Sequence, residues 1–163
     1  MRAVTRDRYG RPDVLRVEQL PVPSPGPGQV LVEVVATSVN LSDWEGLRGS
    51  PAYARLHGPR RPRLRVLGSD IAGRVAAAGA GVSGLGPGDE VNGDNLALMG
   101  RLRRVRRGAV RQGPATFEPL ARQCVAGDVG IHIDRTFPLD EVPRALAHVG
   151  EGRAPGKVVV EIG

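Results

Sequence analysis

Gly79-Ala80-Gly81-Val82-Ser83-Gly84 carries the GxGxxG spacing by which a backbone approaches a pyrophosphate at the start of a helix. That chemistry needs a helix directly after the last glycine. The sequence continues instead as Leu85-Gly86-Pro87-Gly88-Asp89-Glu90-Val91, a turn entering a strand, so the glycines read as a tight turn. Metal ligation fares little better: His57, His132 and His148 are scattered, Cys124 is the lone cysteine, and no spacing resembles a zinc site. Cys124 is expected to pack as a small hydrophobe on its helix, since no basic neighbour in sequence would activate its thiol. His132 is expected to face solvent. These residue types and spacings assign no catalytic residue and no metal ligand.

A third feature with chemical potential is Arg101-Leu102-Arg103-Arg104-Val105-Arg106-Arg107-Gly108-Ala109-Val110-Arg111, six arginines without an acid. Such a run can neutralise phosphates with release of counterions. It holds no aromatic residue to stack on bases and lies in no recognised nucleic-acid motif, so a solvated loop is expected and nucleic acid is not an expected partner. Its charge matters in another way. The 163 residues carry 23 basic and 17 acidic side chains, a net +6, and the six arginines of this run account for all of the excess. The only lysine is Lys157.

The elements that would position any site are β-rich. With 23 Gly and 14 Pro in one domain's length, the composition argues against a helical bundle. Val14 to Val22 reads as extended and Pro23-Ser24-Pro25-Gly26-Pro27-Gly28 as a stiff turn. Gln29 to Val39 reads as a strand buried on both faces, with Val30, Val32 and Val34 on one side and Glu33 the one interruption on the other. Asn40-Leu41-Ser42-Asp43 offers caps for a short helix through Trp44 and Leu47, closed by Gly49. A strand follows from about Asp70 to Ala78. Phe117, Leu120 and Cys124 share helical spacing, Ile131 to Phe137 alternates as a strand, and Leu139, Val142, Leu146 and Val149 form the stripe of a last helix before a strand from Lys157 to Ile162. The amino terminus lacks a signal-peptide core and no run is apolar over the roughly 20 residues that span a bilayer, so a cytoplasmic protein with no membrane partner is expected.

Taken in order, Pro21-Val22-Pro23, Pro25-Gly26-Pro27-Gly28-Gln29-Val30-Leu31-Val32, Ser38-Val39-Asn40-Leu41-Ser42-Asp43-Trp44, Leu67-Gly68-Ser69-Asp70-Ile71-Ala72-Gly73 and Gly88-Asp89-Glu90-Val91 closely resemble the medium-chain dehydrogenase/reductase superfamily, in its zinc-free quinone oxidoreductase branch. Ile133-Asp134-Arg135-Thr136-Phe137-Pro138-Leu139 and Gly156-Lys157-Val158-Val159-Val160 are similar to that family's closing segments. Zinc members carry a Cys before the Asp43 region and Gly-His-Glu in place of Gly68-Ser69-Asp70; this chain has neither, so the resemblance implies no catalytic zinc.

The resemblance implies a GroES-like, partly open β-barrel with a few short helices, an α+β fold rich in β. Residues 1–100 and 117–163 would be two parts of that one substrate domain, joined by an arginine-rich loop at 101–116. Family members are about twice as long, and the NADPH-binding Rossmann domain of these relatives has no counterpart here. The implied function is the substrate domain of an NADPH-dependent, quinone-reductase-like enzyme that binds no cofactor and does not turn over alone. The alternative is a non-catalytic binding or assembly module that self-associates, or takes a protein partner, through an exposed interdomain face. Asn40 and Asp43 would lie near the nicotinamide end of the cleft, Trp44 and Tyr53 would wall a small quinone or enone, and Lys157 would face the cofactor pyrophosphate in a complete enzyme. Asn40 and Asp43 serve equally as helix caps, and Trp44 equally as core.

Family members also carry Gly-Phe-Ala-Glu-Tyr after the position of Met99-Gly100. If Arg101 to Arg106 are encoded CGG-CTT-CGC-CGA-GTA-CGC, dropping the first base reads Gly-Phe-Ala-Glu-Tyr-Ala. The arginine run is then a frameshifted remnant beside a large deletion. Sequencing the coding DNA checks this, and other codons for Leu102 or Val105 exclude it.

Overall fold

The computed structural model describes residues 1–56, 58–94, 119 and 122–162. The chain begins with an antiparallel hairpin, β1 (Arg2–Thr5) against β2 (Arg16–Gln19), with Val4 opposite Val17. The extended stretch expected from Val14 is shorter, because Pro12 opens a 3-10 turn at Pro12–Val14 and pairing starts only at Arg16. After the proline–glycine turn come β3 (Val30–Val39), α1 (Leu41–Arg48), β4 (Asp70–Ala78), β5 (Glu90–Asp94), β6 (Ile133–Pro138), α2 (Val142–Gly150) and β7 (Lys157–Glu161). The GxGxxG glycines lie in the connection between β4 and β5, and no helix follows them, as the sequence implies.

Five strands form one sheet in the order β5-β4-β3-β7-β6. Neighbours are antiparallel except β6 and β7, whose parallel pairing is allowed by the crossover through α2. The last strand in sequence is therefore an interior strand, hydrogen-bonded to β3 through Ala36–Glu161 to Val39–Val158. Its valines are buried because α2 packs over them. Leu139, Val142 and Leu146 of the expected stripe join Leu47 of α1, Val158 and Val160 in the core, with Val149 packed at its margin. Seven of the ten core residues come from positions 137–160.

Two strand faces differ from expectation. β3 is half-buried and Val35 is 55% exposed, because the sheet does not close among the described residues and covers neither of the strand's sides fully. On β6 the alternation holds, but Ile131 and Ile133 face outward while Asp134 turns toward α2, where it meets His148 Nε2 at 2.5 Å. The hairpin joins the rest through a bridge between Thr5 and Val66. The outcome is a sheet-rich, open architecture with a few short helices. An apolar cavity of about 700 Å³, walled by Leu31, Val34, Leu67, Leu139 and Ile162, remains between the layers. Cys124 is half-buried in helical turns at residues 122–126; Phe117, Leu120 and the whole arginine run lie outside the described residues.

Gly28 turns into β3 with φ of 70°, and a Cβ there would meet nothing within 4 Å. Gly28→Ala should thus cost only the conformational term, about 1 kcal/mol, read as a lowered denaturant midpoint with an unchanged slope.

Candidate functional site

At one end of the sheet β3 stops at Val39 while β4, β6 and β7 start at Asp70, Ile133 and Lys157. Backbone direction alone gathers the side chains at these strand ends. The centre is Asp70. Its Oδ2 accepts from the Ser38 hydroxyl, from Asn40 Nδ2 at 2.9 Å and from Lys157 Nζ at 3.2 Å. Lys157 Nζ also donates to Asn40 Oδ1 at 2.6 Å, so amide, carboxylate and ammonium close a three-membered ring of contacts. Ser69 Oγ reaches Asp70 Oδ1 at 3.3 Å, and Thr37 Oγ1 donates to the Asp70 carbonyl at 2.5 Å, fixing the start of β4.

Burial raises the proton affinity of Asp70, but the hydrogen bonds from Ser38, Asn40 and Lys157 and the charge of Lys157 together hold its carboxyl below the usual range. Asp70 is therefore an anion at neutral pH and keeps Lys157 in place. Asp43 sits one layer behind. Its Oδ2 accepts from the Asn40 backbone N–H at 2.8 Å, completing the start of α1, and the Gly68 N–H also bonds it. Burial, with the nearby Asp70 charge, pushes the Asp43 carboxyl up despite these bonds. Together the two backbone bonds pin the Gly68-Ser69-Asp70 turn to the helix, and through it the position of Asp70.

Of the residues singled out in sequence, Asn40 and Lys157 thus come together, and Asp43 supports them. Trp44 lies elsewhere: its ring fills the contact with α2, where a Cβ on Gly150 would come within 2.3 Å of it, and Arg48 covers the ring at 5.3 Å. Tyr53 is exposed past the far end of α1, its hydroxyl bonded to Glu45. An eight-residue helix, about 12 Å long, separates that end from Asn40. Sequence reasoning did not single out Asp70 or Ser38 as site members. An acid opening a strand otherwise made of small and apolar residues was the available signal.

The described residues do not fit a dinucleotide. The β6–α2–β7 unit is their one parallel crossover, and its helix is preceded by Asp140 and Glu141, which repel a pyrophosphate where a glycine turn would welcome it. Lys157 is already engaged by Asp70 and Asn40. Nor do the described residues contain a group of three or more His, Cys, Asp and Glu able to hold a metal ion.

The sequence matches the alcohol dehydrogenase GroES-like domain over residues 26–127. The chain belongs to this family. It is 30% identical over 169 residues to the chloroplastic quinone-oxidoreductase QR1 of Triphysaria versicolor, covering 94% of this chain and 50% of that protein. Its fold matches the quinone oxidoreductase of Coxiella burnetii with a TM-score of 0.84 at 15% identity, over 100% of this chain and 99% of that one. A mycobacterial protein solved in complex with NADPH matches with a TM-score of 0.76 at 14% identity, over 99% of this chain and 100% of that one. The GroES-like chain spans about half the length of the curated relatives it matches, or less.

Proposed function

We propose that this chain is the substrate side of a quinone-oxidoreductase-like, NADPH-dependent, zinc-free reductase, and that alone it holds a quinone or enone without reducing it. The observation that carries the reading is the Asn40–Asp70–Lys157 ring. Two donors, an ammonium and an amide, are fixed in advance by one carboxylate, which is the arrangement a carbonyl oxygen needs for orientation and for stabilising developing negative charge. The neighbouring apolar cavity, to whose wall Ser38 and Asp43 contribute, supports an apolar ring system as the body of the ligand. The Lys157 ammonium occupies the carboxylate that a metal would otherwise use, which favours the zinc-free reading.

The chain's share of the chemistry is to bind, to orient the carbonyl and to hold a proton at Lys157 Nζ. NADPH would supply hydride in a complete enzyme, and the described residues offer it no site. No helix among the described residues is long and apolar enough to cross a membrane, and a cytoplasmic setting is part of the proposal.

The test is a titration with a naphthoquinone followed by amide NMR shifts, alongside an NADPH-oxidation assay. Shifts should centre on Ser38, Asn40, Asp70 and Lys157 and weaken about tenfold in Lys157→Met, while NADPH oxidation stays at the heat-denatured control. Shifts confined to other residues would remove the site assignment, and turnover above the control would remove the claim of inactivity.

A second reading, a non-catalytic assembly module, draws on Leu41 and Ile133, which border the same strand ends and are 59% and 52% exposed. It predicts a concentration-dependent rise in scattering mass that Leu41→Ser and Ile133→Ser abolish; a monodisperse monomer at all concentrations excludes self-association.

A further inference from the structure

Neutrality by count outside residues 101–111 hides an uneven distribution. Between Glu45 and Asp70 the sequence has Arg48, Arg55, Arg60, Arg61, Arg63 and Arg65 and no acid. Most described arginines elsewhere are matched: Arg2 by Asp140, Arg74 by Glu90, Arg144 by Glu141 and Arg153 by Glu151. Asp7 and Glu18, the acids that reach the run, are both taken by Arg16 and Arg65. The side chains of Arg8, Arg11, Arg60, Arg61 and Arg63 carry no hydrogen bond, ion pair or ring contact.

Those five belong to two loops that the fold holds side by side. Tyr9 Oη donates to the Gly58 carbonyl at 2.7 Å, joining the loop after β1 to the loop at 58–63. The Arg6 N–H bonds the Arg65 carbonyl at 2.9 Å, and the Gly10 N–H bonds the Leu47 carbonyl at 3.0 Å. Gly58 and Pro62 are buried, and a Cβ on Gly58 would fall 2.0 Å from the Arg61 carbonyl, so the second loop is folded tightly on itself. Pro59 and Pro62 fix φ on either side of Arg60 and Arg61. The guanidiniums are exposed, but their backbone is fixed. Residues Gly58, Pro59, Arg60, Arg61 and Arg63 line an open concavity of about 590 Å³, and the loop that carries Arg8 and Arg11 is tied to it through the Tyr9–Gly58 bond.

Like charges held together without counter-charge are unfavourable unless an anion sits among them. The planar fork of arginine suits phosphoryl oxygens in two-point hydrogen bonding. We propose that loops 8–11 and 58–63 form a binding site for a small ligand carrying two or three linked phosphoryl groups. Base recognition is not part of it. Tyr9, the aromatic between the loops, already has Arg6 at 5.4 Å and Arg55 at 4.9 Å from its ring centroid and its hydroxyl committed to Gly58, so its ring is engaged within the protein. The inference is independent of the function proposed for the Asp70 cluster.

The experiment is calorimetric titration of the full chain with inorganic tripolyphosphate, ADP and orthophosphate at one fixed ionic strength. Tripolyphosphate should bind, and orthophosphate at least tenfold more weakly; ADP binding as tightly as tripolyphosphate or more tightly assigns a nucleotide source, and weaker binding a free oligophosphate. The triple variant Arg60→Ser, Arg61→Ser, Arg63→Ser should weaken tripolyphosphate on the order of tenfold or more. Substituting Arg103, Arg104, Arg106 and Arg107 by serine should leave it within about twofold. Amide shifts in the unsubstituted chain should map to residues 8–11 and 58–65, a readout that does not depend on any variant folding. The site is overturned if tripolyphosphate does not bind, if the triple variant binds normally, or if the junction variant is the one that loses binding. Binding of a single-stranded oligonucleotide without binding of tripolyphosphate would overturn the small-ligand assignment.

Discussion

Residues 1–130 expressed on their own should not fold. That fragment keeps the hairpin, α1 and three of the five strands of the main sheet, yet loses seven of the ten core residues, all from positions 137–160. At about 1.5–3 kcal/mol for each of the six larger side chains among them, the loss of about 9–18 kcal/mol is as large as a net stability of about 5–15 kcal/mol. It also strips β3 of its β7 partner, leaving the backbone groups of Ala36 to Val39 unpaired along a new edge. Circular dichroism should show no cooperative thermal transition for the fragment, and adding a peptide of residues 131–163 should restore one. A cooperative transition in residues 1–130 alone, with protected amides in β3, would mean that the two portions are separate folding units.

Asp70→Asn should lower stability at pH 7 by about 2 kcal/mol, since it removes the charge that Ser38, Asn40 and Lys157 all address while keeping the shape. The pH dependence identifies the cause. The folded-state carboxyl of Asp70 lies below its ordinary value of 3.8, so its contribution is fully present above that value and is lost as pH falls through the lowered one. Asp43 works in the opposite sense. Its raised carboxyl costs stability as pH climbs from 3.8 through the folded-state value, and the cost persists above it, so Asp43 offsets part of what Asp70 contributes at neutral pH. Denaturant midpoints should therefore separate variant from parent at pH 7 and draw together as pH falls below 3.8. A constant gap across that range would assign the loss to packing. Lys157→Met in the same assay should remove part of the pH dependence, since the ammonium supplies part of what lowers Asp70.

Much of the fold was legible because local signals agreed with one another. Asn40, Asp43 and Gly49 bracket α1 at both ends, and the strand expected from Asp70 to Ala78 has those bounds. The stripe of Leu139, Val142 and Leu146 is buried as its spacing implies. Exposure was less legible. The alternating apolar residues of β3 imply two covered faces, but whether a sheet closes depends on elements distant in sequence. Ile133 and Asp134 show the same limit, since only His148, fourteen residues later, decides which of them turns inward. The site was half legible: Asn40 and Lys157 were named separately, but the carboxylate that joins them is revealed by strand order, which brings positions 40, 70 and 157 to one edge. Trp44 and Tyr53 share a neighbourhood with Asn40 in sequence, and the helix that carries one of them leads to its opposite end.

The interior position of β7 sets a timetable for the chain as it is made. Val30–Val39 leaves the ribosome early, and its partner Lys157–Glu161 comes roughly 120 residues later, at synthesis rates of about 5–20 residues per second a wait of about 6–24 seconds. Throughout that interval a valine-rich strand is paired on one side only, the kind of surface that recruits other chains. Pairing across so long a loop is also slow once both strands exist. The nascent chain is thus most dependent on chaperones, and most vulnerable to proteases, between its first sheet and its last five-residue strand.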